Sequence, residues 1–78
     1  MVFYKYGKIV IGTGNVESLK NLFPENKLTF DSKYFPRITF FCSTQSSSGK
    51  FGEVIFKSTG EFSISGSGSS FTVIWITR

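Results

Sequence analysis

The chain has 78 residues, with nine Lys and Arg against five Asp and Glu, and reads as one small basic domain of net charge +4. With one cysteine and no histidine it has no internal disulfide, no His-based triad and no Cys–His dyad, and its few carboxylates leave no ready ligand set for structural zinc or calcium. A chain of this size buries only about 60–65% of its unfolded surface, so oligomerisation or an exceptionally aromatic core must supply what cross-links do not.

Ten Phe, three Tyr and one Trp provide the aromatic material. Alanine, the strongest helix former, is absent, while Phe, Ile, Val, Thr and Tyr favour strands. The composition therefore predicts an all-β domain with little or no helix.

In chain order, Val2 to Thr13 holds one or two short strands punctuated by Gly7 and Gly12, with Ile9 and Ile11 on one face. Gly14-Asn15 signals a turn. Leu19, Leu22 and Phe23 have helix-like spacing, and Pro24 stops any helix. Glu17 to Phe23 is read as a loop or a single helical turn with Ser18 as its cap. Lys27 to Asp31 reads as a strand with Leu28 and Phe30 on one face. After the connection Ser32-Lys33-Tyr34, Pro36 opens a further strand, where its missing N–H costs least. Arg37 to Ser43 alternates, with Ile38, Phe40 and Cys42 inward. Phe41 is the apolar exception on the other side.

Thr44 to Lys50 is a polar loop. Gly52 to Lys57 and Glu61 to Ser65 form a hairpin across Ser58-Thr59-Gly60, with Val54, Phe56, Phe62 and Ile64 inward. Gly66 to Ser69 turns into the last strand, Ser70 to Arg78. Its two faces are Phe71, Val73 and Trp75 on one side, and Ile74 and Ile76 with Thr72 on the other. An antiparallel strand with one wet face should alternate apolar with polar, and this one does not. Two-sided burial follows as the expectation, by a second sheet or a second subunit. Ile74, Ile76 and Phe41 are the candidate subunit interface. Residues 1–78 are expected to form a single small antiparallel β-sandwich of about six strands.

No apolar stretch approaches the ~18 residues of a membrane span, and Met1-Val2-Phe3-Tyr4-Lys5 lacks the order of a signal peptide. Cys42 reads as a core residue made in a reducing cytoplasm. Asp31 and the glutamates show no spacing that pairs two carboxylates, and Gly12-Thr13-Gly14 has neither the lysine nor the helix of a phosphate loop. No catalytic residue, metal or cofactor is expected.

Two binding constellations remain. Lys50-Phe51-Gly52 with Phe56 resembles the basic-aromatic strands of cold-shock and other small barrels that stack single-stranded nucleic acid, although the alternation puts Phe56 on the core face beside Val54. A glycan needs an aromatic platform and a few fixed polar groups. Tyr34 with Lys33 and Arg37 would provide the platform and charges, and Gln45 and Lys50 of the polar loop the amide and ammonium. The competing reading has Tyr34 covering a core edge and the lysines solvated.

The order of four segments resembles a known family. They are Tyr6-Gly7-Lys8-Ile9-Val10-Ile11-Gly12-Thr13-Gly14, Leu28 to Phe40 with its Phe35-Pro36, Thr59-Gly60-Glu61-Phe62-Ser63-Ile64, and the closing Val73-Ile74-Trp75-Ile76-Thr77. Together they look like the C-terminal tip domain of bacteriophage tail fibres, an H-type-lectin-like β-sandwich. The resemblance implies a compact homotrimer binding host cell-surface polysaccharide. It also implies a virion component made in the host cytoplasm, as an excised tip or a short separate gene product. Two departures from the pattern are Asp31 after Phe30 and the extra Glu61 between Gly60 and Phe62. The family has no fixed catalytic residues to carry over.

Overall fold

The computed structural model describes all of residues 1–78. Six strands form one antiparallel sheet: β1 (Val2–Tyr6), β2 (Ile9–Asn15), β3 (Phe40–Gln45), β4 (Phe51–Phe56), β5 (Phe62–Gly66) and β6 (Ser70–Ile76), in the spatial order β1-β2-β6-β3-β4-β5. One short helix, α1 (Val16–Leu22), and one 3₁₀ turn (Ser32–Tyr34) complete the regular structure.

The sheet divides into two three-stranded halves. β2 and β6 pair along their whole length, from Ile9 opposite Ile76 to Asn15 opposite Ser70, and β3 pairs equally fully with β4. Between the halves, β3 and β6 share one register position, Gln45 opposite Ser70. The other end of this seam is closed by a different segment: Pro36 bridges Thr77, and the Arg37 N–H donates to the Ile76 carbonyl at 2.8 Å.

One face of the sheet carries the core. Val10, Cys42, Val54, Phe56, Phe62, Phe71, Val73 and Trp75 point inward from the strands and are buried. α1 and residues 23–36 lie across them, contributing Leu19, Phe23, Leu28 and Phe35. Aromatic rings knit the two layers, as in Phe23 against Phe62 at 6.1 Å, while within the sheet Phe56 meets Trp75 at 5.1 Å. Such tilted pairs are worth about 0.5–1.5 kcal/mol beyond the area they bury. The Trp75 indole N–H donates to the Tyr34 carbonyl at 2.8 Å, which ties the covering layer to β6.

Local chemistry sets the covering layer. The Asn15 side chain accepts from the Ser18 N–H at 2.8 Å, so Asn15 caps α1 and the helix runs for seven residues rather than the single turn expected from Ser18. Glu17 in the first turn and Lys20 in the last suit the helix dipole. Lys27 to Asp31 is not a strand. Lys27 alone bridges, to Glu61, and the Asp31 carboxylate then turns the chain by accepting from the Lys33 N–H at 3.1 Å. Leu28 and Phe30 still face the core, because a covering segment needs apolar contacts but no ladder.

The β4–β5 hairpin stands as expected, and its turn depends on Gly60. Gly60 has φ +90°, and a Cβ there would meet the Phe35 ring at 2.7 Å. Ile38 departs from its expected inward position and is 72% exposed. β3 begins only at Phe40, and residues 36–39 cross from the covering layer to the sheet, outside the alternation. The polar loop is shorter than expected, since Thr44 and Gln45 belong to β3. β6 is buried on one face only: Phe71, Val73 and Trp75 are inside, while Ile74 and Ile76 are 52% and 61% exposed.

Candidate functional site

The outer face of the sheet has no covering layer. Its rows run across the paired strands: Tyr6, Ile9 and Ile76 in one, Tyr4, Ile11 and Ile74 in the next, then Val2, Thr13 and Thr72. On the other half Phe41 lies opposite Ile55. Tyr4, Tyr6, Ile9, Ile38, Phe41, Ile74 and Ile76 are all exposed. The Tyr4 and Tyr6 rings lie stacked at 6.3 Å. The outward rows of β1, β2 and β6 carry no charged residue.

Within this face, the seam between β6 and β3 opens into a groove of about 720 Å³. Ile9, Ile74 and Ile76 form one wall, Ile38 and Phe40 the other, with Trp75 and Arg37 completing the lining. At the opposite end of the seam is a shallower polar groove of about 440 Å³, lined by Thr13, Ser43, Gln45, Ser70 and Thr72 beside Phe51.

The three candidate interface residues thus share one exposed face. Ile74 and Ile76 line the apolar groove, and Phe41, 65% exposed, stands on the adjoining strand.

The five candidate ligand residues are not one site. Lys33 and Tyr34 sit in the 3₁₀ turn, and Arg37 follows beside Ile76, all at the end of the sheet where β6 finishes. Gln45 lies at the far end of β3, a strand length of roughly 17–20 Å away. Lys50 is beside it in the β3–β4 turn, its N–H donating to the Ser46 hydroxyl at 3.0 Å.

Tyr34 is half-buried against the core and is not a bare platform. The Lys33 ammonium lies 5.1 Å from its ring centre and the Lys5 ammonium 5.5 Å. Lys5 also stands 4.9 Å over Phe30. Sequence reasoning missed Lys5 as a neighbour of Tyr34, because the contact joins β1 to the 3₁₀ turn across the covering layer. It also missed Tyr4 and Tyr6, although Val2, Tyr4 and Tyr6 already alternate outward in the sequence.

Cys42 is a core residue: its thiol donates to the Thr72 carbonyl at 3.3 Å, and burial raises its pKa above the ordinary 9.0. No group of three or more Cys, Asp and Glu side chains is placed to hold a metal ion, and no helix is long and apolar enough to cross a membrane. Compared with known proteins, the chain matches no family model, no curated protein and no solved structure.

Proposed function

We propose that this protein is a self-associating assembly-and-binding module, a virion-surface unit of the tail-fibre-tip kind. Copies meet through the outer face of the sheet, and each sheet supplies one layer of a β-sandwich completed between subunits. The homotrimer and the host cell-surface polysaccharide are what the resemblance to tail-fibre tips implies.

The observation that carries this reading is the uncovered apolar face. Tyr4, Tyr6, Ile9, Ile38, Phe41, Ile74 and Ile76 all stand exposed on it, and a standard stable interface takes about 800 Å² from each partner. Monomeric proteins rarely leave a contiguous apolar patch beyond a few hundred Å². A second copy suits the surface for an electrostatic reason also. Two chains of +4 repel, but the outward rows of β1, β2 and β6 bear no charge, so contact through those three strands desolvates none, with Arg37 at the groove and Glu53 on β4 beside them. Facing sheets pack about 10 Å apart, a spacing that isoleucine and tyrosine side chains fill.

Light scattering over a wide concentration range tests the assembly. The expected result is a constant multiple of the 8.7 kDa chain, with Ile74→Asp and Ile76→Asp each giving a folded monomer. A wild-type monomer at every concentration overturns the reading. The multiple itself separates a trimer from a two-fold pair of facing sheets.

A second reading has a specific observation behind it. Tyr4, Tyr6, Phe41 and Phe51 are exposed aromatics on one sheet face of a basic protein, as single-stranded nucleic-acid binders require. It predicts oligonucleotide binding that weakens steeply with salt. The isoleucines between the rings favour packing against protein over stacking against bases.

A further inference from the structure

We propose that the end of the sheet around Tyr34 is a binding site for acidic polysaccharide, with Lys5 and Lys33 as the paired groups that hold a carboxylate or sulfate. The proposal deepens the receptor-binding part of the reading above and does not depend on self-association.

The charge of this chain is not spread evenly over the fold, although it is scattered in the sequence. Lys8 is in the β1–β2 turn, and Thr77 donates to its carbonyl, which places it beside the end of β6. Arg37 pairs with Ile76 by its N–H, and Arg78 donates to the Ser58 carbonyl next to Lys57. Lys5 and Lys33 meet at Tyr34. Seven of the nine basic residues therefore gather at the one end: Lys5, Lys8, Lys27, Lys33, Arg37, Lys57 and Arg78. Three of the five acidic residues, Glu25, Asp31 and Glu61, lie at the same end, which still leaves the basic residues in excess. Asp31 is engaged by the Lys33 N–H, and Glu61 lies across a bridge from Lys27. A local excess of one sign raises the concentration of oppositely charged ligands at that surface.

Within the cluster, Lys5 and Lys33 have a defined arrangement. Both ammonium groups are drawn to the same ring, and Lys5 is held over a second one. An anionic group that approaches Tyr34 meets both ammonium groups and gains a charge-assisted hydrogen bond from either.

The aromatic groups decide between polyanions. A nucleic acid needs free ring faces within the basic surface on which bases stack. Here the rings of Phe30, Tyr34 and Phe35 already carry Lys5, Lys33 and Arg78. A uronate or sulfated sugar needs only the charges and the hydroxyl partners around them.

The test is titration with polygalacturonate, with neutral dextran and a thymidine oligonucleotide as competitors. The variants are Lys5→Gln/Lys33→Gln and, for equal charge loss elsewhere, Lys20→Gln/Lys50→Gln. Binding of the polyuronate should weaken as salt rises and fall by about tenfold in the Lys5/Lys33 pair, while the control pair stays within about twofold. An equal loss in both pairs, or no binding to the polyuronate, overturns the site. Tighter binding of the oligonucleotide, lost in the same pair, overturns it in favour of nucleic acid. Dextran binding indifferent to Lys5 and Lys33 overturns the anion site while leaving the receptor reading standing. Light scattering on the same variants reports self-association separately.

Discussion

The two faces of β6 are made of the same kind of residue and have opposite fates. Phe71, Val73 and Trp75 are at most 6% exposed, while Ile74 and Ile76 remain more than half exposed. The difference is not in hydrophobicity. It lies in what the chain has available to cover each side. α1 and residues 23–36 supply one covering layer, which is enough for one face of a six-stranded sheet. The strand pattern therefore identifies surfaces that gain from burial, and topology decides which of them one chain can bury. A doubly apolar strand in a chain this short keeps one apolar face exposed, the face that the proposed self-association would bury.

Truncation on each side of β6 sharpens this comparison most. Trp75→Ala removes a buried ring packed on Phe56 and breaks the hydrogen bond to Tyr34, so it should cost about 3–5 kcal/mol. Ile76→Ala on the outer side should cost under about 1 kcal/mol in a dissociated subunit, since most of that side chain is already wet. Urea unfolding at high dilution measures both. Equal losses would mean that Ile76 is packed within a single chain, and the contrast between the faces would collapse.

How far the sequence could be read follows from the same distinction. The β4–β5 hairpin and the inward set of β6 were legible because both depend on local alternation and a glycine turn. The six strands were legible, but the alternation left open whether a second sheet or a second subunit covers the outer face, and one chain supplies a single sheet with a helix-and-loop layer. Lys27 to Asp31 was misread because covering segments and strands share an apolar rhythm, and only the hydrogen bonds distinguish them. Ile38 was misplaced because nothing local marks that the ladder starts at Phe40. The grouping of Lys33 with Tyr34 was visible from adjacency. The arrival of Lys5 was not, because β1 and the 3₁₀ turn are far apart in sequence. Gln45 and Lys50 were joined to that group by chemistry alone, and the direction of β3 carries them to the other end.

The inner face contains one buried polar group that does not repay its burial. Thr44 is 1% exposed, and its hydroxyl oxygen has no hydrogen-bond partner. Replacing it with valine keeps the shape and removes an unsatisfied group, so Thr44→Val should raise stability by about 1 kcal/mol. The same exchange at Thr72, on the exposed side of β6, should change subunit stability by less than about 0.5 kcal/mol. A loss of stability in Thr44→Val would show that the hydroxyl does find a partner, and that the inner face is less dry than its neighbours imply.

The smallest expected effect concerns Cys42, which is inward on β3 and 6% exposed. Burial disfavours the thiolate, so the folded pKa lies above the ordinary 9.0, while the unfolded chain keeps the ordinary value. Between those two values the folded state binds more protons than the unfolded state. Stability from this group is therefore fully present below the unfolded pKa and is lost as pH rises through the folded one. The effect is read as a difference between the variant and the wild type. Cys42→Val should lose less stability than the wild type when urea midpoints are compared from about pH 8 to about pH 10. Native-state reaction of the thiol with a disulfide reagent should also be slow at pH 8 and fast only in urea, because the thiolate is the attacking species. Rapid labelling of the native protein would place Cys42 in contact with solvent, and the boundary between the two faces would then have to be redrawn at β3.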